Sequence, residues 1–170
     1  MTLFGLKRSW YTFCVNKLYA GTKSKSFEKK RKMLNALGHE IGEGTKIVGP
    51  VFCTGKLIVG KNCWLGKNLF INGNGTVKIG DNCDIAPEVA FQTGGHEIGG
   101  SERRAGKGVI RNIEVGNGCW IGARSTILGD LKISDGCVVA ACACVTKSVP
   151  PNTLVGGVPA REIRKLDGND

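Results

Sequence analysis

The stretch VGNGCWIGARSTILGDLKISDGCVVAACACV, residues 115–145, carries an aliphatic side chain at every sixth position. A period of six is neither that of an α-helix nor that of a β-strand, and it is typical of a β-helix repeat. In such a repeat a short strand and a turn form one side of a triangular coil, and the aliphatic side chain points inward. The residues that keep this spacing are Val115, Ile121, Ile127, Ile133, Val139 and Val145.

The same period extends towards the N-terminus, with one shift of phase and one interruption. Two extra residues follow Val77, and the period resumes at Ile79. Later it fails twice and returns at Val109, so residues 97–108 are predicted to leave the coil as an excursion loop. The inward residues predicted before that loop are Ile41, Ile47, Cys53, Val59, Leu65, Ile71, Val77, Ile79, Ile85 and Phe91.

The corners of the coil follow the repeat as well. Asparagine or glycine recurs at the turn positions, where a left-handed backbone is needed. Four of the eight cysteines occupy one inner corner, which favours buried structural thiols over disulfides and indicates a reducing compartment. These four are Cys63, Cys83, Cys119 and Cys137. We therefore predict an all-β solenoid with enough repeats for about five coils.

The formal net charge of +10 is concentrated near the N-terminus. Residues 1–38 hold nine of the 24 lysines and arginines but one acid, Glu28. Apolar residues follow helical spacing over residues 3–19, and again from a serine cap at Ser24 or Ser26 to Leu37, before Gly38. A basic helical segment is therefore predicted over residues 1–40.

Two roles are open for this segment. The helices could pack on the end of the solenoid and cover its open edge. Alternatively, their basic amphipathic surface makes peripheral contact with an anionic membrane or a lipid-linked sugar. Nucleic acid is not expected as a partner, because no recognisable motif accompanies the charge. No signal peptide and no run of about 20 apolar residues is found, so the expected location is cytoplasmic, at most peripheral at the inner membrane surface.

With these features the chain resembles the hexapeptide-repeat acyltransferases, whose fold is a left-handed parallel β-helix. The resemblance covers residues 41–166 and is carried by VGNGCWIG (115–122), ACVTKSVPPN (143–152) and GGVPAREIR (156–164). It is strongest to the O-acetyltransferases of sugars and of capsular or other surface polysaccharides. The resemblance implies acetyl-CoA as acyl donor, a saccharide hydroxyl as acceptor, a homotrimer, and no metal. A short C-terminal helix is expected from Arg161 to Leu166.

The chain has two histidines, and they differ in position. His96 lies at the root of the predicted loop, where the resemblance implies a general base that takes the proton of the acceptor hydroxyl. A histidine suits this task because its ordinary pKa of about 6.5 lets it accept and return a proton near neutrality. Glu97 and Glu102 are close in sequence, but adjacency alone does not place a carboxylate on the ring. His39 lies between the helices and the first coil, where a packing or solvated role is expected.

The resemblance also implies residues that contact acetyl-CoA and the acceptor. Lys147 and Arg161 would meet the phosphates, whereas Arg164 would either add to them or complement the dipole of the expected last helix. Asn74 falls near a sugar-binding aspartate of related galactoside acetylases, with a simple turn residue as the alternative. The complete cofactor set expected is Ala123, Ala141, Thr146, Lys147, Arg161 and Arg164.

Three other functions share parts of this pattern. Serine O-acetyltransferases use the same chemistry, but this N-terminal segment is short and basic for their helical domain. A γ-class carbonic anhydrase shares the solenoid but needs three zinc-binding histidines, and this chain has two. A non-catalytic scaffold would be expected to lack His96 and Lys147, and both are present. An acetyl-CoA-dependent O-acetyltransferase acting on a saccharide is therefore the expected function.

Overall fold

Three parallel sheets form the faces of a triangular prism in the computed structural model, which describes residues 3–167. With strands numbered in chain order, sheet A contains β1 (Glu40–Ile41), β4 (Lys56–Val59), β7 (Thr76–Ile79), β12 (Ile113–Val115) and β15 (Leu131–Ile133). Sheet B contains β2 (Lys46–Ile47), β5 (Trp64–Leu65), β8 (Asp84–Ile85), β13 (Trp120–Ile121), β16 (Val138–Val139), β18 (Thr153–Gly157) and β19 (Ala160–Lys165). Sheet C contains β3 (Val51–Cys53), β6 (Leu69–Asn72), β9 (Ala90–Gln92), β14 (Thr126–Leu128) and β17 (Cys144–Val145). The predicted parallel solenoid is confirmed.

The interior of the prism is filled by the side chains that the six-residue period predicts. In sheet B each strand pairs in register with its counterpart in the next coil, so the inward side chains stack in a column. That buried column is Ile47, Leu65, Ile85, Ile121, Val139 and Val155. Each such burial stabilises the fold by roughly 1.5–3 kcal/mol, and no coil can achieve it without a neighbour.

The shift of phase in the sequence corresponds to one longer turn. Cys53 pairs with Ile71 in sheet C, and Leu57 pairs with Val77 in sheet A. Three residues separate Cys53 from Leu57, but five separate Ile71 from Val77. The two extra residues therefore lengthen the turn of residues 72–76, which we call the long corner turn. It lies where the chain passes from sheet C to sheet A, the C–A corner.

The cysteines of the repeat form a ladder where the chain passes from sheet A to sheet B. Each thiol donates a hydrogen bond of 3.0–3.1 Å to a backbone carbonyl of the next coil. Thr45 begins the ladder, with Oγ1 donating to the Gly60 carbonyl at 2.8 Å. The members are Cys63, Cys83, Cys119 and Cys137, all buried and unbridged. The prediction of structural thiols is therefore confirmed.

The N-terminal helices cover the first coil. Helix α1 (Leu3–Phe13) continues into a π-helical turn (Cys14–Leu18), and α2 (Ser24–Ala36) follows. Val15 and Leu34 are buried in the same core as the solenoid. The Lys30 side chain is also buried and donates to the carbonyls of Gly21 (2.9 Å) and Val48 (3.0 Å), and burial lowers its pKa to about 8. The helices therefore pack on the end of the solenoid and cover its open edge, as the first of the two expected roles predicts.

The ends of α2 follow the sequence signals in part. The residue before the helix is Lys23, so the expected serine cap is wrong. Ser26 lies inside the first turn instead, where its Oγ donates to the Lys23 carbonyl at 2.6 Å. At the other end Gly38 adopts a φ of +96°, the left-handed conformation that favours glycine after a helix.

The excursion from the coil is a β-hairpin with wider bounds than residues 97–108. Strands β10 (Gly94–Ile98) and β11 (Ala105–Ile110) pair antiparallel. Val109 belongs to β11 and pairs with Gly95, so its predicted return to the coil is wrong. The coil resumes at Ile113, which is buried against the solenoid column of sheet A. Val109 kept the phase by coincidence, because residues of a protruding hairpin are not bound to the period of the coil.

The expected C-terminal helix, from Arg161 to Leu166, is also wrong. Residues Ala160–Lys165 form β19, which turns back and pairs antiparallel with β18. The last strand of a solenoid presents unpaired backbone N–H and C=O groups, and a returning strand satisfies them where a helix would not. The solenoid is thus covered at both ends, by helices at the first coil and by the β18–β19 hairpin at the last.

Candidate functional site

The β10–β11 hairpin leaves the solenoid at the C–A corner, directly above the long corner turn. Buried Thr93 ties the two together, since its Oγ1 donates to the Asn72 carbonyl at 3.0 Å and accepts from the Gly75 N–H at 3.3 Å. Gly73, with a φ of +107°, packs against the backbone of Gly94 so closely that any β-carbon would overlap it. Glycine is therefore required at this contact, and the hairpin starts from a fixed position.

His96 lies in β10, exposed, with one ring nitrogen already engaged. Its Nδ1 is 2.9 Å from the backbone carbonyl oxygen of Gly106, on the opposite strand. A carbonyl oxygen accepts hydrogen bonds and cannot donate, so Nδ1 carries the proton in the neutral ring. The lone pair of Nε2 is then available to accept a proton. The orienting group is therefore this carbonyl, and neither Glu97 nor Glu102 contacts the ring.

A shallow cleft opens beside His96, and it contains the residue expected to bind the acceptor. Asn74 of the long corner turn is one of its lining residues. The full lining is Gly73, Asn74, Gly94, Gly95, His96, Gly108, Val109 and Ile110. The structure therefore brings Asn74 and His96 together from two successive coils. Cysteine is absent from this lining, so an acyl-enzyme thiol has no candidate within the described cleft.

Lys147 and Arg161, expected at the phosphates of CoA, line one cavity of about 230 Å³ at the C-terminal end of the solenoid. Lys147 follows β17 at the C–A corner, two strands along sheet C from the strand that leads to His96. Thr146 precedes it and is exposed. Glu162 also lines the cavity and lies 3.4 Å from the ammonium of Lys165, which partly offsets its charge.

Ala123 and Ala141 lie at a different corner, where the chain passes from sheet B to sheet C. They belong to successive coils and stack, with the Cys142 N–H donating to the Ala123 carbonyl at 2.8 Å. Cys142 and Arg124 hold the left-handed turn positions, with φ of +61° and +60°. Ala141 is exposed and Ala123 is half-buried, so these two positions present little side chain at the corner, which suits a long, thin ligand arm.

Arg164 is separated from the other expected cofactor residues. It lies in β19 opposite Leu154 and lines a depression on sheet B together with Trp120. Arg161 and Arg164 line different cavities, Arg161 the one that also contains Lys147 and Arg164 the depression beside Trp120. A shared phosphate site for Lys147, Arg161 and Arg164 is therefore not formed within one chain.

The sequence did not reveal the Gly106 carbonyl that orients His96. A backbone carbonyl has no side-chain signature, and its position depends on the register of the hairpin. The glycines of RAGKG, residues 104–108, were a partial signal, since they permit the close pairing of the two strands.

Neither a metal site nor a membrane-spanning helix is found within residues 3–167. No group of three or more His, Cys, Asp or Glu side chains there could hold a metal ion. No helix in this range is both long and apolar enough to cross a bilayer.

Two family models match the solenoid. Residues 112–147 match the bacterial transferase hexapeptide (six repeats), and residues 56–86 match the hexapeptide repeat of succinyl-transferase. Galactoside O-acetyltransferase of Escherichia coli K12 is 34% identical over 145 residues, covering 84% of this chain and 71% of the relative. A putative acetyltransferase of Saccharomyces cerevisiae is 31% identical, covering 84% and 74%.

Solved structures give the same assignment. A galactoside acetyltransferase in complex with coenzyme A superposes with a TM-score of 0.80 at 27% identity, covering 98% of this chain and 82% of that one. A maltose O-acetyltransferase of Clostridium difficile 630 superposes with a TM-score of 0.69 at 27% identity, covering 98% and 90%. The family models, the repeat geometry and these relatives agree: the chain belongs to the hexapeptide-repeat acetyltransferases.

Proposed function

We propose that this protein is an O-acetyltransferase that moves acetyl from acetyl-CoA to a hydroxyl of a saccharide. The observation that carries the proposal is His96, exposed in a cleft with Nδ1 bound to the Gly106 carbonyl and Nε2 left to accept a proton. The relatives named for galactoside and maltose acetylation support a sugar as acceptor. The resemblance to capsular and exopolysaccharide enzymes favours a role in surface polysaccharide biosynthesis.

His96 acts as the general base of this reaction. Its Nε2 takes the proton of the acceptor hydroxyl while that oxygen bonds to the acetyl carbon. The carbon–sulfur bond breaks, and the same proton passes from Nε2 to the departing sulfur, so the histidine ends as it began. A positioned base of this kind contributes about 10²–10⁴-fold to the rate. Asn74, across the cleft, orients the acceptor by hydrogen bonding.

Acetyl-CoA binds along the small-residue strip of Ala123 and Ala141 and reaches cations at the C-terminal end. Lys147 and Arg161 share one cavity, and both are exposed, so their charges are accessible to phosphate. Thr146 supplies a neighbouring hydroxyl. Arg164 contacts the cofactor only if the ligand crosses to the outer face of sheet B.

The protein functions as a homotrimer in which each site lies between two subunits. Within one chain His96 and the Ala123–Ala141 strip occupy different corners of the prism, so one chain alone does not align base and cofactor. A cyclic trimer joins two different surface patches of neighbouring subunits, which allows the C–A corner of one subunit to lie beside the B–C corner of the next. The hairpin also presents Ile98 and Ile110, 90% and 67% exposed, which a neighbouring subunit would cover.

The test of the function is acetylation of an acceptor panel with acetyl-CoA, read by mass spectrometry of the products. The panel contains a methyl galactoside, maltose, and L-serine as the competing acceptor class. Product mass is the appropriate readout because eight thiols would react with a dye for free CoA. Acetylated sugar supports the proposal, whereas acetylated serine with unmodified sugars contradicts it.

Replacing Lys147 with alanine is expected to raise the KM for acetyl-CoA about tenfold to a hundredfold, because a charge-assisted phosphate contact is lost. The value of kcat should change little, since the residue is remote from the reacting atoms. Lys78→Ala is the matched control, because Lys78 is an exposed lysine of β7 outside the cavity. Equal effects of the two substitutions would contradict a specific phosphate contact.

We also place the N-terminal helices at a membrane surface. Leu6, Trp10 and Phe13 form an exposed stripe along α1, each about half accessible, and Lys7 and Lys17 flank it. Apolar side chains bordered by lysines suit the boundary of an anionic bilayer. This location would bring the enzyme to lipid-linked saccharides.

Cosedimentation with phosphatidylglycerol vesicles tests this contact. Wild-type protein is expected to bind them, to ignore phosphatidylcholine vesicles, and to dissociate at high salt, because the attraction is largely electrostatic. Trp10→Ala should weaken binding, whereas Trp120→Ala, at a tryptophan of similar exposure on the solenoid, should not. Binding that is unaffected by Trp10→Ala would count against the stripe.

A further inference from the structure

A second cavity, of about 440 Å³, lies between the N-terminal helices and the first coils. Its apolar floor is formed by Val15, Leu34, Val51 and Ile71, which belong to the helices and to sheet C. Its polar wall carries Arg8 from α1, His39 from the connection to the first coil, and Thr54, Lys56 and Asn72 from the solenoid. We call this space the helix cavity.

The helix cavity adjoins the cleft of His96. Asn72 lines the cavity, and the next two residues, Gly73 and Asn74, line the cleft, so the long corner turn forms the border of both. Thr54 fixes this border, because its Oγ1 donates to the Gly73 carbonyl at 2.9 Å and accepts from the Gly73 N–H at 3.0 Å. The coil of Thr54 is two strands from the coil of His96 in sheet C, a separation of about 10 Å.

The charge of the helix cavity is positive. Arg8, His39 and Lys56 line it, and no aspartate or glutamate is among the lining residues that the structure describes. Lys56 is paired with Glu40, with Nζ and Oε1 2.5 Å apart, but Arg8 forms no ion pair with a described residue. The pKa of His39 is lowered, chiefly by burial and further by the charges of Arg8 and Lys56. Among the described residues, the arginine of this cavity therefore has no carboxylate counter-ion.

The other polar groups of the wall add donors and no negative charge. The Leu57 N–H donates to Nδ1 of His39 at 3.3 Å, so the neutral ring carries its proton on Nε2 and can donate it. The Asn16 side chain pairs with the backbone of Val51: its Nδ2 donates to the Val51 carbonyl at 3.0 Å, and its Oδ1 accepts from the Val51 N–H at 2.9 Å. Burial raises the pKa of Cys53 to about 11, so that thiol is neutral.

We propose, resting on the acetyltransferase function proposed above, that the helix cavity binds an anionic group of the acceptor saccharide, a carboxylate or a phosphate, and holds its hydroxyl at His96. Arg8 meets the anion with its planar pair of N–H donors, and Lys56 and His39 complete the contact. Arg8 is exposed at the wall of the cavity, so its guanidinium is accessible to an anion, whereas a neutral sugar would make no use of its charge. The acceptor class is therefore an acidic saccharide, with a uronic acid and a sugar phosphate as the two sources of charge.

The experiment compares three acceptors that share one ring: methyl galactoside, its uronic acid methyl glycoside, and galactose 6-phosphate. The value of kcat/KM is measured for each by mass spectrometry with wild type, Arg8→Gln and Arg8→Lys. Lys46→Gln is the control, because it removes one exposed charge from β2, outside the cavity. The two anionic arms distinguish a carboxylate from a phosphate.

Wild type is expected to favour one anionic acceptor over methyl galactoside about tenfold or more, and Arg8→Gln to remove most of that preference. Arg8→Lys should retain part of it, and Lys46→Gln all of it. A preference for the neutral galactoside, or an anionic preference that survives Arg8→Gln, overturns the inference while the acetyltransferase function stands. If no sugar is acetylated by wild type, the proposed function fails and the inference fails with it.

Discussion

Replacing His96 with alanine is expected to lower kcat for acetyl transfer by about 10²–10⁴-fold, the range that a positioned general base contributes. The substitution removes Nε2, the atom that takes the proton. Without this base the hydroxyl of the saccharide stays protonated and is a weak nucleophile. The fold should not change, because His96 is exposed and its hydrogen bond joins two strands that already pair through their backbones. Affinity for acetyl-CoA, measured by calorimetry, should therefore remain close to that of wild type.

A matched control for this variant lies on the other strand of the hairpin. Lys107 is exposed and directly follows Gly106, the residue whose carbonyl orients the ring. Lys107→Ala should leave kcat within about threefold of wild type, as is usual for a surface substitution away from the reacting atoms. If His96→Ala kept wild-type kcat, or if Lys107→Ala lost as much, catalysis would depend on another base or on the hairpin as a whole.

The fold was predictable because its main determinant is local and repeated. Ile121 points inward for the same reason as Ile127, because both occupy the same position of the six-residue repeat. Once that position is identified in one repeat, the inward residues of the other repeats follow. In the solenoid region the predictions fail where a distant strand decides the outcome. Residues 160–165 became a strand because β18 offered an unpaired edge, and Val109 left the core because the hairpin paired it with Gly95. Neither event is encoded by the period.

The candidate site was predictable to the extent that its side chains lie next to recognisable turns. His96 is at the root of the excursion and Asn74 is in the long corner turn, and both positions follow from the interrupted period. The helix cavity could not be foreseen, since Arg8 and Lys56 are distant in sequence and meet only because α1 docks on the first coil. A docking angle between helix and solenoid is a property of packing, with no periodic signal.

Two inactive variants are expected to restore activity when they assemble together. His96→Ala lacks the base but keeps the B–C corner, whereas Ala141→Trp keeps His96 but fills the strip of backbone proposed for the cofactor. Ala141 is exposed at its corner, so tryptophan should be tolerated by the fold. Each variant alone should be nearly inactive, and Ala141→Trp should also fail to bind CoA in calorimetry.

Coexpression in equal amounts then yields trimers of random composition. If each site takes His96 from one subunit and the Ala141 corner from the next, about a quarter of all sites join two intact halves, and about a quarter of wild-type activity returns. If base and cofactor strip served the same chain, every chain would carry one defect and mixing would restore nothing. Mixing the two purified variants without subunit exchange is the control, and it should remain inactive. A site shared between subunits predicts about a quarter of wild-type activity, and a site within one chain predicts none. The coexpression experiment therefore decides whether His96 of one subunit acts with the Ala141 corner of the next.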